Sequence, residues 1–95
     1  MDSSDAIARL LALGQATRLA AYRLLIAHEP VGLPVTAIAQ QLGVNLSTLS
    51  RHLAQLERAG LLRSWRHERQ VFYSCSATGL EDLMTFLTEN CCRSG

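Results

Sequence analysis

The chain has 95 residues, 48% of them hydrophobic and 18% charged, a net charge of +1 and three cysteines. That length makes one small domain (1–95), and its apolar content exceeds what a lone globule of this size buries, so a second subunit is expected to cover part of the surface. No apolar run nears the ~18 residues of a membrane span, the opening residues carry acids where a secretion signal needs a basic start, and an odd number of thiols, two of them adjacent, fits no disulfide framework. A cytoplasmic protein with free thiols and no membrane contact is expected.

In chain order, Ile7, Leu10 and Leu11 recur at helical spacing and predict a first helix over about 4–13, capped by Ser3 or Ser4. After Gly14 a second helix runs from about Thr17 to His28, with Leu19, Tyr22, Leu25 and Ile26 inward and Arg18 and Arg23 outward. Pro30, Gly32 and Pro34 break it. A short third helix covers Thr36 to Leu42 and stops at Gly43. The fourth, about 46–59, is the most strongly patterned: Asn45 caps it, and Leu46, Leu49, Leu53 and Leu56 form one apolar stripe. Ser47, Thr48, Arg51, Gln55 and Arg58 fall on the opposite face, and Ser50 and His52 flank the stripe. Residues 61–75 then change period, with β-branched and aromatic residues around a charged centre, which predicts a hairpin turning at His67 to Arg69. A last helix spans about 77–90, with Leu80, Leu83, Met84 and Leu87 on one side. The predicted fold is mainly α with a β-hairpin wing, a winged helix-turn-helix in which 46–59 is the recognition helix.

The distribution of charge supports that reading. Residues 51 to 69 hold five arginines against Glu57 and Glu68, while elsewhere four arginines face six acids, and all nine basic residues are Arg. The planar guanidinium fork suits phosphate and guanine. A helix of about fourteen residues spans roughly 21 Å and fits the major groove of DNA, and short hydroxyl side chains at its start let the backbone approach closely. Arg63, Arg66 and Arg69 are expected to meet phosphates from the wing, although an arginine-rich face is also what a plain solvated surface looks like. His28, His52 and His67 read as surface or packing residues, and Trp65 as a packing residue of the hairpin. No Gly-rich phosphate loop and no nucleophile-base spacing points to an enzyme.

The stretches LLALGQATRLAAYRLLI and LSTLSRHLAQLERAGLLRSWRHERQVFYS resemble the ArsR/SmtB family of bacterial metalloregulators, the arsenic-resistance-type winged-helix repressors. The resemblance covers roughly residues 6 to 90. Its motifs stand in register: Leu-Gly-x-x-Thr-Arg-Leu into the second helix, Ser-x-x-Ser-x-His-Leu in the recognition helix, and a basic wing. It implies a homodimer through the first and last helices, bound to an inverted-repeat operator in double-stranded DNA and released by an inducer. DNA contacts carry over onto Ser47, Ser50 and Arg51. Leu46 stands where resembling sequences have a polar residue, often Gln, so specificity is expected from Thr48, Arg51 and Gln55; Glu68 stands where they commonly have Gly.

Placements of the inducer site differ within the family. The third helix here has no Cys and the last helix no His, which removes two of them. Cys91 and Cys92 remain, closing a Leu-Thr-Glu-Asn-Cys-Cys stretch that resembles a subclass of arsenite sensors. Trivalent arsenic is soft and takes two or three thiolates in a pyramid, most of which adjacent cysteines preorganise. The implied inducer is arsenite or a methylated As(III), with Sb(III) as a chemical relative; no resident cofactor is required. Two thiolates suffice for a methylated arsenical, whereas arsenite wants a third. Cys75 precedes the last helix and Cys91 follows it, about 24 Å of helical rise apart, so the two are excluded from sharing an ion within one subunit. Cys75 could serve across a dimer, or simply pack in its strand; otherwise the third donor lies beyond residue 95 or is an exogenous thiol. Oxidation or persulfidation of the same thiols is the alternative switch.

Overall fold

The computed structural model describes residues 1–89. It contains α1 (Ser3–Leu13), α2 (Ala16–Ala27), β1 (Leu33–Pro34), α3 (Val35–Leu42), α4 (Leu46–Arg58), β2 (Leu62–His67), β3 (Gln70–Cys75) and α5 (Gly79–Thr88). The three strands form an antiparallel sheet in the order β1-β3-β2. All five predicted helices and the hairpin are present.

The boundaries follow local chemistry. α1 is capped by Asp2, whose carboxylate accepts the Asp5 N–H at 2.9 Å, so the expected serine caps lie inside the helix. α2 begins at Ala16, because the Gln15 side-chain oxygen takes the Arg18 N–H at 2.8 Å. Gly43, at φ 67, supplies the left-handed residue that ends α3. α5 is shorter than the expected 77–90: Thr78 precedes it, the helix ends at Thr88, and Asn90 falls outside the described residues. β1 was not foreseen. Two residues carry no periodicity, and one is a proline, tolerated here on the edge of the sheet where Leu33 faces Tyr73 and Pro34 faces Phe72.

The core lies among α2, α3, α4 and the sheet, with Leu25, Ile38, Leu49, Leu53, Leu56 and Leu61 fully enclosed and Tyr73 and Cys75 closing it from β3. Several apolar residues stay at the surface, Leu19 and Ile26 against the expectation that they face inward. Leu19 and Ile26 on α2, and Met84 and Leu87 on α5, stay about half exposed, as does Leu46 at the start of α4. α1 turns Ala6 and Ala12 inward and leaves Ile7, Leu10 and Leu11 exposed by 45–66%. A domain this small cannot bury every apolar stripe it carries. The result is an apolar surface over α1 and α5, the kind that marks an interaction face.

The hairpin turn carries a local strain. Glu68 takes φ 57, a left-handed conformation that costs an L-residue on the order of 1 kcal/mol and a glycine almost nothing. Glu68→Gly is therefore expected to stabilise the chain by up to about 1 kcal/mol, read as a higher urea midpoint with an unchanged slope.

Candidate nucleic-acid interface

The turn between α3 and α4 aims the second helix outward. Asn45 caps α4 with one oxygen that accepts Ser47 N–H at 2.9 Å, Thr48 N–H at 3.3 Å and the Ser47 hydroxyl at 2.6 Å. Because Leu49, Leu53 and Leu56 are pinned in the core, helical geometry turns Ser47, Thr48, Ser50, Arg51 and Arg58 to solvent. Gln55 is only half exposed, sitting toward the edge of that face. The first two turns of α4 thus offer three hydroxyls and a guanidinium on an open surface.

The wing is fixed to this helix. The Ser64 hydroxyl donates to the Glu57 carboxylate at 2.8 Å, joining β2 to α4. Strand alternation then divides the expected trio of arginines. Arg66 shares the Ser64 face, toward α4, whereas Arg63 lies on the opposite face with Trp65. There the Arg63 guanidinium stands 4.8 Å from the centre of the Trp65 ring, which itself stacks on Phe72 at 5.7 Å. Arg69, in the turn, lines a cleft with Ser50 and Leu46. Arg51, Arg58, Arg63, Arg66 and Arg69 are all exposed, and among the described residues none of them pairs with a carboxylate. The spacing of the sequence could find these arginines but not their sorting onto two faces.

Arg18 departs from expectation. It does not point outward: its Nε donates to Ala12 O at 2.6 Å at the end of α1, and one terminal nitrogen donates at 3.4 Å to Leu11 O, which also accepts the Gly14 N–H. Its other terminal nitrogen lies 3.0 Å from His52 Nδ1 on α4. A guanidinium only donates, so His52 Nδ1 accepts and the ring is the Nε2–H tautomer. The Thr-Arg-Leu and Ser-x-His-Leu motifs are thus two halves of one contact that seats the recognition helix. His28 Nδ1 is within 2.9 Å of Leu24 O, and His67 is exposed on the wing.

The thiols separate cleanly. Cys91 and Cys92 lie outside the described residues. Cys75 is 4% exposed at the base of the wing, its backbone N–H donating to Glu29 Oε1 at 2.8 Å. Burial, and then the Glu29 carboxylate, push that thiol from 9.0 up to about 12, and burial and Cys75 push the Tyr22 phenol up as well. A protonated, enclosed sulfur is a poor metal ligand, which favours the packing role for Cys75 over donation across a dimer. Among the described residues no group of three His, Cys, Asp or Glu side chains could hold a metal ion.

The raised thiol has a consequence with a definite sign. The unfolded chain loses this proton near 9.0 and the folded chain only near about 12, so the stabilisation is complete below pH 9 and is lost as pH rises toward 12. Urea midpoints are expected to fall across that window, and less steeply in Cys75→Ala. A thiol reagent at pH 8 should label Cys75 only after unfolding.

Comparison with known proteins gives the same outline. Residues 13–64 match the helix-turn-helix domain family. The transcriptional activator HlyU of Vibrio cholerae is 30% identical over 93 residues, covering 98% of this chain and 83% of that protein. The structure of HlyU from Vibrio cholerae superposes with a TM-score of 0.75 over 96% of each chain. The homodimeric winged helix-turn-helix DNA-binding domain of Mb0332 from Mycobacterium bovis, described as a possible ArsR-family regulator, is 27% identical with a TM-score of 0.74, over 90% of this chain and 76% of that one. RHA00566, an ArsR family transcriptional regulator, shares the fold at a TM-score of 0.80 and 19% identity, over 94% and 89% of the two chains.

Proposed function

Since the chain belongs to the winged helix-turn-helix family of HlyU- and ArsR-type transcriptional regulators, and is a regulator rather than an enzyme, we propose that it is a homodimeric repressor released from an inverted-repeat operator when a trivalent arsenical binds Cys91 and Cys92. The observation that carries the reading is the position of two adjacent thiols three and four residues after the end of α5 at Thr88, the helix whose exposed Met84 and Leu87 share an apolar surface with α1.

That surface supports a dimer through α1 and α5, in which the twofold axis sets the distance between two copies of α4. Half-sites one DNA turn apart, about 34 Å, demand a fixed distance. Ligation beside the end of α5 would reorganise the dimer contact and misalign the recognition helices, lowering operator affinity by a coupling of the usual size, about 5- to 150-fold. In this reading Arg51 and the hydroxyls of Ser47, Thr48 and Ser50 face bases and nearby phosphates, and Arg66 and Arg69 hold the backbone from the wing, with Arg63 on the wing's outer face. The protein acts in the cytoplasm, where thiols stay reduced.

The test is operator binding by fluorescence anisotropy under a thiol-free reductant, with arsenite, methylarsenite, antimonite, zinc and peroxide in turn, beside a promoter reporter that shows whether bound protein represses. The trivalent arsenicals are expected to release the operator and zinc to leave it bound, with transcription rising on release. Release by peroxide without reductant, and none by arsenicals, would select the oxidation or persulfide switch instead. Transcription that falls on release would make the protein an activator.

A further inference from the structure

Leu46 is out of place on the surface it occupies. The other leucines of its stripe, Leu49, Leu53 and Leu56, are fully enclosed, yet Leu46 is 45% exposed. The remaining exposed large apolar side chains among the described residues belong to the amino terminus, α1, α2, α5 and the loop at Val31; none is on α3 or the wing, and Leu46 stands alone on α4. It is also the first residue of that helix, directly before Ser47 and Thr48 and one turn from Ser50. Its apolar surface continues into a cleft of about 320 Å³ whose walls include Val35, Val71 and Tyr73 and whose rim carries Ser50 and Arg69.

Such a site is apolar at its centre and edged by hydroxyl and guanidinium groups. On duplex DNA, the feature of the major groove that matches it is the thymine 5-methyl group: it is the apolar mark on a base-pair edge and is flanked by acceptors and phosphates that the rim groups can engage. A bare leucine facing water gains nothing there, whereas against a methyl it regains the burial that its neighbours have within the core. We infer that Leu46 is a specificity-determining residue that reads a thymine methyl in each half-site of the operator. This rests on the DNA-binding reading above and names what the first turn of α4 recognises.

The experiment uses the full chain and an operator duplex selected by that chain from random sequence, with each thymine of the half-site replaced in turn by deoxyuridine, which removes the methyl and leaves the pairing intact. One position per half-site is expected to matter. Loss of its methyl weakens wild-type binding about fourfold, and loss in both half-sites about fifteenfold, the factors expected when the burial of one methyl group per half-site is lost. Leu46→Ala, at an exposed helix start where alanine is well tolerated, is expected to bind thymine and deoxyuridine operators equally. Thr48→Ser, which removes the competing methyl donor on the same turn, should keep the discrimination. Wild-type affinity that is indifferent to every deoxyuridine, a selected half-site without thymine, or a methyl effect that survives in Leu46→Ala and vanishes in Thr48→Ser would each overturn the assignment. Any of these leaves operator binding itself intact, whereas failure to select or bind any duplex in a salt-sensitive way would remove the DNA-binding reading instead.

Discussion

With Cys91 and Cys92 both changed to serine, the protein is expected to hold its operator within about twofold of wild-type affinity and to ignore methylarsenite, where the wild type loosens by about 5- to 150-fold. The asymmetry follows from position and from chemistry. The groups proposed to meet DNA sit on α4 and the wing, and the adjacent thiols follow α5, so their replacement leaves that surface alone. Serine nearly matches cysteine in size, but its hard, protonated oxygen has little affinity for a soft pnictogen. Each single substitution should weaken induction strongly, because one thiolate cannot chelate. Cys75→Ala serves as the control: its sulfur is enclosed beside Tyr22 and Glu29, and induction is expected to survive its loss. The measurement is anisotropy with and without methylarsenite for all four variants.

Gly79→Ala should cost about 3 kcal/mol or more, a large part of the stability of a domain this size. Gly79 is buried at the start of α5, where the chain crosses directly over the turn between α4 and β2. A Cβ there would strike the Gly60 carbonyl oxygen and come within 3.1 Å of Leu61 Cα. Both are backbone atoms, so no side chain can swing away. The same junction is tied by Arg9, whose Nε donates to Ala59 O at 2.8 Å and whose Nη1 donates to Gly79 O at 2.6 Å. α1, the end of the recognition helix and the start of α5 therefore meet at one point, and pushing α5 away breaks the Arg9 bonds as well. Thermal unfolding should show a fall of at least about 12 °C, at roughly 4–8 °C per kcal/mol for such a domain. If the junction also carries the coupling from α5 to α4, the arsenical response measured below the melting range should shrink in this variant more than operator affinity does.

How far the sequence discloses the molecule depends on whether a feature is periodic. The Asn45 cap and the core leucines of α4 repeat at helical spacing, and they define the recognition helix to within a residue. The hairpin was equally legible, because alternating β-branched and aromatic residues surround a polar turn. Periodicity does not report which of several apolar stripes a small core can accommodate, and so Leu19 and Ile26, expected inward, stand about half exposed. Nor does it report a contact between distant residues. Arg18 looked solvent-facing because its position on α2 is polar, yet its length lets it turn back to carbonyls of α1 and across to His52. β1 was missed for want of length, and the close approach at Gly79 because a glycine inside an expected helix of 77–90 gives no sign of what lies over it. The candidate DNA face was readable as a set of residues. Its division between two faces of the wing, and the exposure of Leu46, needed three dimensions.

The proposal as a whole depends on arsenic being held by the sulfurs that follow α5. X-ray absorption at the arsenic edge, on protein carrying Cys75→Ala and one equivalent of methylarsenite with no small thiol present, tests this most directly. Two sulfur neighbours per arsenic are expected, with both lost in the additional Cys91→Ser, Cys92→Ser variant. A first shell without sulfur, or one unchanged by removing those two cysteines, would contradict it.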